Sequence, residues 1–248
     1  MDNRRTFIKS SVLALGATAL GNYNAKATTS LLGGKLDIKQ NDVILFQGDS
    51  ITDNGRSRDN GTANDLQALG RGYAMLAASA ILNKYADKNV KVYNRGISGH
   101  KVPQLQDRWQ ADCIDLMPSV LSILIGVNDY WHKRDGKYAG TAQLYKEQYQ
   151  KLLDSTLEKL PHVKLIVGEP FAVRNVKYVD ESWFPEFNLY QQAARDIAKE
   201  YKAILLPYQD IFDKACQRAP GSYWTTDGVH TSAAGADLMA KHWVSCFK

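Results

Sequence analysis

From residue 43 onward, short runs rich in β-branched and aliphatic residues alternate with longer stretches that carry apolar residues at helical spacing. That alternation is the strongest constraint on the fold, because strands hidden on both faces need helices on both faces to hide them. The runs are Val43 to Gln47, Val90 to Asn94, Val120 to Ile125, Lys164 to Gly168 and Ala203 to Leu206, nearly continuous in apolar residues. Between and after them the spacing predicts helices over Gly72 to Tyr85, Pro103 to Asp115, Thr141 to Leu160, Pro185 to Tyr201 and Ser232 to Phe247. No internal repeat or low-complexity linker divides the pattern, so residues 28–248 read as one α/β domain.

Residues 1–27 have a different character. Asn3-Arg4-Arg5-Thr6-Phe7-Ile8-Lys9 is a twin-arginine stretch, followed by a weakly apolar run from Ser10 to Gly21 and by Ala25-Lys26-Ala27. This is the layout of a bacterial-type export signal with a small-residue cleavage site, which predicts a periplasmic or secreted protein. An uncleaved amphipathic start or membrane anchor is the alternative. The run is far shorter than the roughly 20 apolar residues that span a bilayer, so stable membrane insertion is not expected.

Loss of that segment removes Arg4, Arg5, Lys9, Lys26 and Asp2, and the formal charge falls from +5 to +2. The basic balance belongs mostly to the leader, and no dense Lys/Arg block remains to favour nucleic acid. Cys113, Cys216 and Cys246 are too few for a disulfide framework, and no C-x-x-C pair, H-E-x-x-H or carboxylate cluster points to a metal. No cofactor is implied, and nothing in the sequence sets the oligomeric state.

Two connections are long enough to carry function, Thr52 to Arg71 and Pro170 to Trp183. In an open α/β sheet, ligands bind outside the carboxyl ends of the strands, where such loops gather. Ser50 follows the first strand there, behind Gly48-Asp49. A nucleophilic serine needs a base oriented by an acid, and Asp227-Gly228-Val229-His230 offers both within one turn. It also needs donors for an oxyanion. The turns Asn94-Arg95-Gly96-Ile97-Ser98-Gly99 and Gly126-Val127-Asn128-Asp129 offer the Gly99 N–H and the Asn128 amide, beside the N–H of Ser50 itself. As single residues, Ser50, Asp49 and Asp53 are equally good helix caps, and Asp129 reads as a residue that ties its turn together.

Taken together, Gly48-Asp49-Ser50, Gly99, Gly126-Val127-Asn128-Asp129 and Asp227-Gly228-Val229-His230 resemble, in order, the four sequence blocks of the SGNH or GDSL hydrolases. The resemblance spans residues 43–235. It implies a three-layer α/β/α sandwich around a central parallel five-stranded sheet, flavodoxin-like, and esterase-type acyl transfer. It also implies Ser50 as nucleophile, His230 and Asp227 as base and acid, and Ser50, Gly99 and Asn128 as the oxyanion hole. Gly48-Asp49-Ser50-Ile51-Thr52 lacks the second glycine of G-x-S-x-G, so the sharp elbow of α/β-hydrolases is not expected.

Substrate contacts are assigned to Asp49, His100, Tyr130, Trp131, His132 and Trp224. With Tyr223, the rings at 130, 131 and 224 are expected to rim one mouth, where aromatic faces suit sugar C–H surfaces, or else to pack loops onto the domain. Arg56, Arg71 and Arg174 are candidates for binding hydroxyls or acidic groups. The expected substrate is a small-molecule or polysaccharide acyl ester, most simply an acetylated carbohydrate. The rival readings are a lysophospholipase or thioesterase of the same family and a non-catalytic glycan-binding module.

Overall fold

The structure is a computed structural model and describes residues 35–248. The export segment read from residues 1–27 lies outside the described residues. Five strands, β1 (Val43–Gly48), β2 (Lys91–Asn94), β3 (Val120–Leu124), β4 (Lys164–Gly168) and β5 (Ile204–Leu206), form one parallel sheet in the order β2-β1-β3-β4-β5. Each lies within a residue or so of its sequence expectation. Every residue of β3 is buried, as befits the middle strand of a sheet covered on both faces.

Register explains how the two faces are filled. Phe46 of β1 stands beside Ser122 of β3 and so shares its face of the sheet. The Trp243 ring packs on Phe46 at 4.6 Å while its Nε1 donates to Ser122 Oγ at 2.9 Å, docking helix Ala233–Val244 on that face. Tyr73, which opens helix Tyr73–Lys84, meets the same Phe46 edge-on. Gln47, one residue along β1, points to the opposite face and donates to the carbonyl of Asp112. Helices Ala142–Lys159 and Glu186–Glu200 pack against each other, with the latter against β4 and β5. The result is the three-layer α/β/α sandwich of flavodoxin-like order.

Helical structure departs from expectation in several places. The stretch from Pro103 to Asp115 is two short helices, Val102–Asp107 and Trp109–Asp112, because Arg108 leaves helical geometry (φ −116°, ψ 8°). Its guanidinium instead binds the carbonyl of Arg95 and the carboxylate of Asp112, both at 2.7 Å. A helix over Val127–Arg134 replaces a simple turn, and a further helix, Tyr208–Cys216, follows β5. All three cysteines are free thiols. Among the described residues, no helix is long and apolar enough to cross a membrane.

Candidate active site

β1 lies between β2 and β3, so the loops leaving all three meet at the carboxyl edge of the sheet, beside the point where the strand order reverses. Gly48 ends β1 where a side chain has no room: a Cβ there would lie 2.3 Å from the Leu124 carbonyl oxygen. Asp49 then caps the short helix Ser50–Asp53, its Oδ1 accepting from the N–H of Ile51 at 3.0 Å. Because the aspartate does the capping, the Ser50 hydroxyl is left for another partner.

That partner is His230, whose Nε2 lies 2.8 Å from Ser50 Oγ. The Nδ1 on the other side of the ring lies 2.7 Å from Asp227 Oδ2. Asp227 Oδ1 accepts the N–H groups of Val229 and His230 at 2.9 and 2.7 Å, so acid and base are locked within one turn. Burial works to raise the Asp227 pKa, but the hydrogen bonds from the His230 ring and from these two N–H groups prevail and hold it at about 2. The carboxylate in turn raises the His230 pKa, against burial, which opposes the imidazolium. An ionised acid and a readily protonated imidazole within reach of a hydroxyl can move a proton off that hydroxyl.

The turn does not stand alone. The N–H of Val173 donates to the carbonyl of Gly228 at 2.7 Å, and the N–H of Tyr178 to that of Asp227 at 3.2 Å. The segment from Pro170 to Trp183 therefore braces the turn that carries Asp227 and His230.

Three donors lie on the loops around Ser50. Among the described residues, the N–H groups of Ser50 and Gly99 are not taken by any other group of the chain. Asn128, buried on the first turn of its helix, gives one amide hydrogen to the carbonyl of His100 at 3.2 Å and keeps the other. Gly99 has φ +81°, a left-handed backbone with open space where a side chain would stand. Asp53 holds its loop in place: Oδ2 accepts both the N–H and the hydroxyl of Ser98 at 2.9 Å and pairs with Arg58. Asn94 adds bonds to the carbonyls of Thr52 and Leu69. These positioning roles of Asp53 and Asn94 were not anticipated, although both flank the predicted blocks. Asp129, expected to tie its own turn, instead joins it to the segment after β2, its Oδ1 accepting from the N–H of Val102 at 3.2 Å.

An open cleft of 360 Å³ flanks Ser50, lined by Ser50, Asn54, Gly55, Arg71, Ser98, His230 and Thr231. None of the six residues expected to touch substrate lines it. Asp49 is buried beneath Ser50, and burial pushes its pKa up to about 7. Tyr130 is also buried; its hydroxyl donates to the carbonyl of Trp183 and its ring packs among Trp183, Phe187 and Tyr190, so no face is left for a ligand. Trp131 packs on Tyr178 and Trp183. Trp224 is buried, donates to the carbonyl of Ala219, and borders a separate depression with Arg218 and Tyr223. The rings thus do not rim a common mouth; most pack loops onto the domain. His100 and His132 are half-buried, receiving Arg108 Nε at 3.3 Å and facing Lys101 Nζ at 3.4 Å respectively. Of the arginines, Arg56 is buried against the carbonyl of Gly96, Arg174 stacks on Phe184, and Arg71 alone of the three borders this cleft.

Comparison with known proteins places the chain in a family and matches its fold. Residues 46–238 match the model of the GDSL-like Lipase/Acylhydrolase family. The acetylxylan esterase of Geobacillus stearothermophilus is 31% identical over 208 residues, 83% of this chain and 94% of that protein. A crystal structure of an acetylxylan esterase from the same organism superposes with a TM-score of 0.76 at 28% identity, covering 85% of this chain and 96% of that one. A GDSL-like lipase candidate from Parabacteroides merdae superposes with a TM-score of 0.84 at 44% identity, covering 86% and 98%. With most of its length matched in sequence and in fold, the chain belongs to the GDSL-like lipase/acylhydrolase family and is a carboxylic ester hydrolase.

Proposed function

We propose that this esterase removes acetyl groups from carbohydrate through a Ser50-His230-Asp227 triad. The observation that carries the reading is the unbroken chain of hydrogen bonds from Ser50 through His230 to Asp227 beside an open, polar cleft. His230 Nε2 takes the Ser50 proton as Oγ attacks the ester carbonyl. The resulting oxyanion is held by the N–H groups of Ser50 and Gly99 and by the free amide hydrogen of Asn128. Collapse expels the sugar hydroxyl, which receives the proton from His230, and leaves acetyl on Ser50. His230 then deprotonates water, which attacks the acyl-enzyme and releases acetate.

The acetyl preference is supported by the cleft, whose side chains belong to Asn54, Arg71, Ser98 and Thr231 and offer no apolar channel for a long chain. The carbohydrate preference draws on the likeness to acetylxylan esterases. Export, as read from the twin-arginine segment, would bring the enzyme to extracellular polysaccharide. A lysophospholipase or thioesterase would need a greasy cavity, and a pure glycan binder has no use for an aligned serine, imidazole and carboxylate.

The test is hydrolysis of p-nitrophenyl esters from acetate to palmitate. Rates should fall steeply beyond acetate; rates that rise with chain length overturn the short-acyl reading.

The acid–base pair also sets the pH response. Only neutral imidazole can accept the Ser50 proton, so kcat/KM should rise with pH as His230 deprotonates. Because Asp227 raises the His230 pKa, the midpoint of that rise should lie above the ordinary value of about 6.5. A pH–rate profile with its acid limb centred at or below that value would contradict the assignment.

A further inference from the structure

One cation beside the nucleophile has no acidic partner. Arg71 is exposed and lines the Ser50 cleft. The other arginines of these loops are engaged: Arg58 with Asp53, Arg95 and Arg108 with Asp112, and Arg56 with the carbonyl of Gly96. Among the described residues Arg71 forms no ion pair and no side-chain hydrogen bond. Its Nε would lie 3.6 Å from a Cβ on Gly55, so the guanidinium rests over that glycine.

A second cleft, lined by Arg56, Ser57, Leu66 and Gln67, shares Gly55 and Arg71 with the first. Arg71 is therefore the wall common to both, and an extended substrate reaching from one into the other must pass its guanidinium. Other cations act on the neighbouring loop that carries His100. Burial first, then Arg108, Arg58 and Lys101, disfavour protonation of His100, the residue after Gly99. Burial pushes Asp49 and Asp129 up to about 7, so below that pH they offset little of this charge. Asp53 and Asp112 are committed to their arginines, and Asp227 to His230.

We propose that Arg71 selects acyl esters carried on acidic saccharides, binding the carboxylate of a uronic-acid-type sugar at or next to the acetylated residue. A guanidinium presents two parallel donors matched to a carboxylate, which a hydroxyl cannot exploit equally. This rests on the carbohydrate reading above and specifies its substrate class. A neutral acetylated sugar would still reach Ser50 but would leave the guanidinium with water alone.

The experiment compares an O-acetylated methyl glucuronoside with the same compound carrying a primary amide in place of the carboxylate. Acetate release by the wild-type protein should favour the carboxylate by about tenfold in kcat/KM, the scale of a charge-assisted contact that is partly open to solvent. Raising the salt concentration should shrink that ratio. Arg71→Gln should bring it to about one, and Arg71→Lys should keep part of it. Equal rates for the two compounds in the wild type, or a preference that survives Arg71→Gln, overturn the role of Arg71 and leave the carbohydrate reading standing. Release from neither compound, while p-nitrophenyl acetate is still turned over, overturns the carbohydrate reading and this proposal with it.

Discussion

Ser50→Ala is expected to lower turnover of a short ester by about 10⁴-fold to 10⁶-fold, the scale on which hydrolases of this mechanism lose activity without their nucleophile. The loss should not come from unfolding. The helix Ser50–Asp53 is capped by Asp49, and the serine hydroxyl bonds to His230 rather than to the backbone. Removing that hydroxyl costs one partly exposed hydrogen bond, about 0.5–1.5 kcal/mol at most, and the melting temperature should move by a few degrees or less. The measurement is the steady-state rate on p-nitrophenyl acetate beside a thermal melt. Residual activity above a hundredth of wild type, in protein shown free of the parent enzyme, would sink the assignment.

Asp227→Asn should cost about 10⁴-fold with little change in shape. The asparagine can keep its Oδ1 as acceptor for the N–H groups of Val229 and His230, which fixes the side chain as it now stands. Its amide nitrogen then faces His230 Nδ1 as a donor, so the ring must carry its proton on Nε2, opposite Ser50. A histidine in that tautomer can give Ser50 a proton but cannot take one. The variant also loses the carboxylate that favours imidazolium, so the acid limb of the remaining activity should shift to lower pH. A loss of less than tenfold, or an unmoved limb, would argue against Asp227 as the orienting acid.

The strands were plain in the sequence because burial on both faces leaves little room for polar residues, and Val120–Leu124 is the clearest instance. That Ser50, Asp227 and His230 would meet was equally legible, since they belong to spaced blocks whose chemistry would link them. What misled was orientation. The residues at 130, 131 and 224 stand near the blocks in sequence, but only the turn of a helix decides whether a ring faces substrate or core, and Tyr130 faces Trp183, Phe187 and Tyr190. Helix Val127–Arg134 was hidden behind turn-forming Gly126, Asn128 and Asp129. Helix Tyr208–Cys216 did display its spacing, with Tyr208, Ile211, Phe212 and Ala215 buried on one side, yet it starts directly after Pro207, where the chain reads as a strand end. The break at Arg108 depends on partners, Arg95 among them, that the fold alone brings near.

Asp227 and His230 ride on one turn, whereas Ser50 sits 180 residues before the histidine in the chain. A slight drift of that turn as a rigid piece would carry Asp227 and His230 together and leave their mutual bond intact. The whole error would open at a single seam, the 2.8 Å gap between Ser50 and His230. In the proposed mechanism alignment reduces to that one gap, and the backbone bonds from Val173 and Tyr178 are among those that hold the turn from behind. Backbone on the segment from Pro170 to Trp183 therefore bears on the rate of the proposed reaction through the position of that turn.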